Sequence, residues 1–267
     1  MIIDSTIVGR GCWLDVPILA YHKISDQFEW GINNVPIRSF ENQIKYLAEN
    51  HFYTISLEQY LCDEFSANSE RHPVIITFDD ADESVLHHAF PILYAYRFTA
   101  TLFVISNYVG KLNSWDANLG GIYSRHLGWE EIKELAEVGW EIGSHTATHR
   151  DLRGLSDNEL NLELQFSKEL IERNVQKPIR FLSYPFGRFD YRVCLTAQQL
   201  GYSGGCGLSV SQYGIPAAFN IRRHGVYLID TLFWFKRKLS NSKIEQLKQR
   251  IISFGSKGTV FYQKYRK

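Results

Sequence analysis

The sequence predicts a single α/β domain built from repeated strand–helix units around a parallel sheet. Three observations carry this. Short apolar runs alternate with helical patterns down most of the 267 residues, which is the signature of strand–helix repetition. Polar residues of catalytic type, namely His22, Asp79 with Asp80, and His145, stand at the ends of several of those runs, and in a parallel barrel that end is where loops converge over the packed interior. No repeat, low-complexity block or Pro/Gly/Ser-rich linker marks a boundary, and the length suits one α/β barrel. The whole of 1–267 is read as one domain, with a core over about 16–230 and a helical tail over 231–267.

The strand candidates are VPILAYHKI (16–24), HPVIITFDD (72–80), TATLFVIS (99–106), WEIGSHT (140–146), IRFLSYPFG (179–187) and NIRRHGVYL (220–228). SFENQIKYLAEN (39–50) reads as a helix with Ser39 as N-cap, and LGWEEIKELAEVG (127–139) as a helix stopped by Gly139. The stretch 156–174 opens Ser-x-x-Glu, a capping box. The tail, including NSKIEQLKQRIISFG, reads as helical before the basic KYRK end.

Composition excludes several function classes. With 45% hydrophobic and 14% aromatic residues the chain has ample material for a core, so disorder is excluded. Lys plus Arg (29) equals Asp plus Glu (29), which leaves no overall field to attract nucleic acid. Cys12, Cys62, Cys194 and Cys206 form no CxxC pair and read as free thiols. Asp4 and Arg10 interrupt the apolar N-terminus, and no run of about 18 apolar residues follows. The expectation is a cytoplasmic protein without a signal peptide or transmembrane segment. No motif specifies an oligomeric state.

Two motifs carry chemistry. Thr77-Phe78-Asp79-Asp80 ends a strand candidate. Adjacent carboxylates on an extended chain point to opposite faces, but at a strand's end both can turn into a site. The competing reading is an Asp N-cap for the helical pattern ADESVLHHAFPILYA. His145-Thr146-Ala147-Thr148-His149 places two imidazoles four apart, a spacing that meets on one face of a helical turn. The competing reading there is a pair of surface histidines. Taken together, two His and one carboxylate form a common catalytic metal set, with the second carboxylate placed to take a proton from water.

TFDD, then SHTxxH, then a strand ending in YPFG (184–187) resembles the polysaccharide deacetylase family, carbohydrate esterase family 4, from about Val16 to about Val226. The resemblance implies a distorted (β/α) barrel of about seven strand–helix units. It also implies removal of acetyl groups from N-acetylated, sometimes O-acetylated, sugars with the help of a divalent metal, zinc first and Co(II), Ni(II) or Fe(II) as alternatives. By similarity Asp79 is the general base, and Asp80, His145 and His149 are the metal ligands. Phe186 supplies a backbone N–H to the oxyanion, and Tyr184 lies in the same oxyanion and substrate-binding segment.

The sequence departs from the family pattern in three places. The Gly that usually follows TFDD is Ala81, which bears on the tightness of that turn. The arginine often found before the Pro-aromatic-Gly segment is replaced by Ser183, and Arg223 in NIRRHGV resembles the strand arginine that serves instead. No Leu-x-His stands near the C-terminus to supply a general acid. His22 in ILAYHKI resembles the N-terminal Tyr-His of the branch that includes poly-N-acetylglucosamine deacetylases. A buried core histidine is the other reading of it, and of the remaining histidines only His224 is placed to line a site.

The implied chemistry is metal-assisted amide hydrolysis. Asp79 takes a proton from the attacking water, the Phe186 N–H holds the oxyanion, and His22 protonates the departing amine. The substrate expected is an N-acetylated glycan or sugar precursor, lipid-linked or nucleotide-linked. The rival readings are a catalytically silent carbohydrate-binding barrel, and an esterase or amidase acting on O-acetyl or non-sugar substrates.

Overall fold

The computed structural model describes residues 16–27, 31–65, 70–113, 124–208 and 214–240. Residues 1–15, with Cys12 and most of the stretch read for a signal peptide, and the tail beyond Ser240 lie outside the described residues.

The strands are β1 (Ile18–Tyr21), β2 (Lys23–Ile24), β3 (Asn34–Val35), β4 (Phe52–Thr54), β5 (His72–Phe78), β6 (Thr101–Val104), β7 (Glu141–Ser144), β8 (Phe181–Ser183), β9 (Gly204–Gly207), β10 (Ile221–Arg222) and β11 (His224–Gly225). The main sheet runs β10-β9-β8-β7-β6-β5-β1-β11, every pairing parallel. β10 and β11 are the two halves of one stretch, 221–225, which pairs with β9 on one side and with β1 on the other. That stretch closes the sheet into a barrel. β4 pairs with the first half of β5.

The helices are α1 (Ile37–Glu49), α2 (Leu57–Leu61), α3 (Phe90–Ala95), α4 (Trp129–Glu137), α5 (Asp157–Val175), α6 (Tyr191–Gln199) and α7 (Leu232–Leu239). α5 carries the capping box expected of it: Ser156 Oγ accepts from the Glu159 amide, and the Glu159 side chain accepts from the Ser156 amide. α4 ends before Gly139, which takes φ 94. α1 starts earlier than expected, with Pro36 and not Ser39 as N-cap, because proline's fixed φ lets a helix begin directly after it.

β9 is a strand that sequence patterning misses. Gly204-Gly205-Cys206-Gly207 has no β-branched or aromatic residue to signal one. The glycines answer to packing instead: a Cβ on Gly205 would lie 2.0 Å from the Tyr184 hydroxyl, and one on Gly207 2.8 Å from the Phe189 ring.

Strand alternation sorts the core into two layers. Ile18, Ile75, Phe103, Phe181, Cys206 and Ile221 fill the barrel interior, joined by Ile55 and Leu57 at the start of α2. Their neighbours Leu19, Val74, Ile76, Leu102, Val104 and Leu182 face the helices. The same two-residue period, continued toward the carboxyl ends of the strands, carries His22, Thr77, Asp79, His145, Ser183 and Arg223 onto the inner face. Buried hydrophobics below and polar groups above therefore come from one alternating pattern.

Candidate active site

Arg223 sits at the junction between β10 and β11, 1% exposed, its guanidinium over the Phe103 ring at 5.2 Å. Nη1 and Nη2 each donate to one oxygen of Asp79 at 2.8 Å. Nη1 also donates to Thr77 Oγ1 at 3.0 Å, and Nη2 to Ser183 Oγ at 2.7 Å. Ser183 is where the family arginine usually stands, and Arg223 reaches that same spot from the closing strand. Burial alone would raise the Asp79 pKa. The Arg223 charge, the nearby His145 and the paired hydrogen bonds outweigh it and hold the carboxyl well below the usual carboxylate range.

Asp80 turns the other way. It and Ala81 both adopt left-handed backbone conformations, φ 70 and φ 55. Aspartate tolerates that region, whereas for alanine it costs about 1–2 kcal/mol. The turn brings Asp80 Oδ1 to 3.5 Å from His145 Nε2 and 3.8 Å from His149 Nε2. Asp80 is therefore not the N-cap of the following helical stretch, which begins at Glu83, with Asp82 Oδ1 accepting from the Ser84 amide at 3.0 Å.

The His145–His149 stretch is not a helical turn. Thr146 and His149 take φ 68 and φ 59, and the loop is held from outside by Glu163 on α5. Glu163 Oε2 accepts the amides of Ala147 (3.0 Å) and Thr148 (2.9 Å), and Oε1 accepts the Thr148 hydroxyl. The two imidazoles still meet, with ring centroids 4.7 Å apart at 74°. They are 2% and 4% exposed, so the surface-histidine reading falls.

One oxygen of Asp80 and one nitrogen of each histidine lie within 4.8 Å of one another, and the donor set fits a divalent cation. His145 Nδ1 lies 2.8 Å from the Ser183 carbonyl, which can only accept, so the proton sits on Nδ1 and the Nε2 lone pair faces the triad. Burial pushes the pKa of both imidazoles down, which favours the neutral, ligating form.

His22 lies after β1 within range of this group. Burial first of all draws its pKa down to about 4, with Asp79 opposing and His145 and Arg223 reinforcing. His224 is buried opposite Leu19 on the closing strand. Phe186 takes φ 59 in the turn after β8, and its ring packs edge-on against His149 at 4.8 Å. Tyr184 does not line the site. On β8's alternation it points outward, fully buried, donating to the Phe219 carbonyl at 3.0 Å and stacked on Phe189. Its expected contact with substrate is replaced by a core role.

Sequence reasoning missed Glu163 and His126. His126 Nδ1 lies 2.6 Å from the Asp80 carbonyl, although the histidine pattern left only His224 as a further site candidate. A backbone acceptor 46 residues away leaves no spacing signal.

A closed parallel α/β barrel with an Asp-His-His triad and a second, separately paired carboxylate at its carboxyl end defines the class of protein. The comparisons agree with it. The family model described as Polysaccharide deacetylase matches residues 66–205, more than half of the chain. YxkH of Bacillus subtilis is 31% identical over 192 residues, 71% of this chain and 63% of that one. The poly-beta-1,6-N-acetyl-D-glucosamine N-deacetylase of Staphylococcus aureus is 29% identical over 160 residues, 55% of this chain and 52% of that one. The chain thus spans between half and two thirds of these relatives. Among solved structures, BC0361, a polysaccharide deacetylase from Bacillus cereus, superposes with a TM-score of 0.69 at 27% identity, covering 84% of this chain and 68% of that one. Streptococcus pyogenes deacetylase PplD shares the fold, with a TM-score of 0.71 at 22% identity over 84% of this chain and 97% of that one.

This chain belongs to the polysaccharide deacetylase family. Among the described residues no helix is long and apolar enough to cross a membrane.

Proposed function

We propose that the protein is a metal-dependent de-N-acetylase of N-acetylated sugar residues in a glycan or glycan precursor, working as one catalytic domain. The observation that carries this is the division between two neighbouring carboxylates. Asp80 lies against two neutral imidazoles, and Asp79 is locked in a bidentate pair with Arg223. Two like groups held in unlike surroundings take unlike roles. The named activity of the S. aureus relative supports the substrate class.

Asp80, His145 and His149 would hold the ion, which when bound supplies Lewis acidity and lowers the pKa of water. Asp79, ionised throughout the neutral range, accepts the proton of the attacking water. Arg223 fixes both its oxygens, which orients it and limits its basicity. The Phe186 backbone N–H donates to the oxygen that gains charge as the acetamide carbonyl is attacked. His22 delivers a proton to the sugar nitrogen as the C–N bond breaks. With its pKa drawn down by burial to about 4, His22 starts the cycle neutral at pH 7, so the proton it delivers originates in the attacking water. Acetate and an amino sugar leave.

The test is acetate release from N-acetylated mono-, oligo- and lipid-linked sugars by the full chain, with zinc or cobalt added and with chelator. Metal-dependent release from at least one class is the expected result. Folded, metal-loaded protein that releases none would overturn the reading in favour of a binding barrel. Elemental analysis should find about one ion, lost in His145→Ala and His149→Ala.

A further inference from the structure

The carboxylate on the metal side hangs from two successive left-handed residues, Asp80 and Ala81. Only the first has a side chain suited to that region. Such a turn keeps its shape when its surroundings over-determine it. Here the surroundings are one short stretch, 124–127, which crosses the turn antiparallel with Asp82 opposite His126. The Leu127 amide donates to the Ala81 carbonyl at 2.8 Å, and the Glu83 amide to the Arg125 carbonyl at 2.9 Å. Arg125 Nε also donates to the Glu83 carboxylate at 3.1 Å, but the tie that falls on the ligand residue itself is His126 Nδ1 to the Asp80 carbonyl at 2.6 Å.

A carbonyl only accepts, so His126 carries a proton on Nδ1. The residue is 3% exposed and its ring packs against Tyr108 at 5.8 Å, which leaves it little freedom to turn away. We infer that His126 is a positioning residue of the metal site. Its Nδ1–H pins the peptide that carries Asp80 and so offsets an alanine standing where glycine would turn without strain. This rests on Asp80, His145 and His149 being the ligand set.

The test follows metal affinity, not turnover. Apoprotein is titrated with Co(II), read by its visible absorption, and with Zn(II) in competition. His126→Asn keeps an amide donor near the Nδ1 position, and His126→Gln moves it one bond further out. We expect the Asn variant to bind within about threefold of wild type. The Gln variant should bind roughly 10–100-fold more weakly, as lost outer-shell hydrogen bonds do. Ala81→Gly should recover about fivefold in the Gln background, by relieving the left-handed residue, and change wild type little.

Equal affinity in the Asn and Gln variants, or the same gain from Ala81→Gly in both backgrounds, would overturn the inference. If neither His126 variant folds, as read by circular dichroism of the apoprotein, His126 is a core residue and the inference fails as well. Wild type that binds no cobalt or zinc would instead overturn the ligand set itself.

Discussion

Arg223→Met keeps an unbranched apolar stem and removes four hydrogen bonds, two of them to Asp79 at 2.8 Å. Asp79 is then left 1% exposed without its counter-charge. Breaking a buried pair by removing one partner costs about 3–5 kcal/mol. We expect a loss of about 4 kcal/mol at pH 7, a large share of the ~5–15 kcal/mol that holds a domain folded. The pH dependence gives the loss a signature. In the wild type the Asp79 pKa is depressed, so its contribution is present above the ordinary carboxylate value of about 4 and is lost only as pH falls through the lower folded value. In the variant burial dominates and the pKa rises above that ordinary value. The penalty is then smaller at pH 4.5 than at pH 7. Urea unfolding of both proteins with chelator at pH 4.5, 5.5 and 7 measures it. A destabilisation under about 1 kcal/mol at pH 7, or one that is constant across this range, would refute the assignment of Arg223 as Asp79's buried counter-ion.

Asp79→Asn should keep fold and metal content and lose most turnover, roughly 10²–10⁴-fold, because the amide cannot accept the proton; loss of metal along with activity would make Asp79 a ligand. His22→Ala should slow amide hydrolysis by a similar factor yet spare much more activity on an aryl acetate, whose leaving group departs without protonation. Amide hydrolysis near the wild-type rate would return His22 to a core role. Gly205→Ala places a methyl 2.0 Å from the Tyr184 hydroxyl, so thermal unfolding should show about 1–3 kcal/mol of destabilisation. An unchanged melting midpoint would mean that the ring moves aside freely.

The parts of the site that the sequence made legible are those where chemistry sits at a strand's end. Asp79, His145 and Arg223 each continue a strand's period of two into the site, whereas Asp80 is off that period and enters through its left-handed turn. Four-residue spacing suggested a helical turn, but Thr146 and His149 are left-handed and the rings converge because Glu163 gathers the loop's amides. Tyr184 was placed in the site by its motif, although counting from Phe181 and Ser183 puts it on the outer face. Strand β9 was invisible because its glycines accommodate Tyr184 and Phe189, a cause that lies in other segments. His126 acts on a backbone carbonyl, and no residue pattern encodes which carbonyl that will be.

The stretch 221–225 has a consequence for how the chain matures. It joins both margins of the sheet, setting His224 beside Leu19, and brings Arg223 to Asp79 across 144 residues. Contacts of that span form late, after the entropy of closing a long loop has been met. Before they form, β1 and β9 stand as open edges with unsatisfied amides and carbonyls, which invite pairing with another chain. A polypeptide cut between β9 and β10 would keep every residue of the triad, yet it would hold Asp79 without its counter-ion and expose two sticky margins. Catalytic competence and protection from self-association would therefore arrive in one step, when the last strand docks.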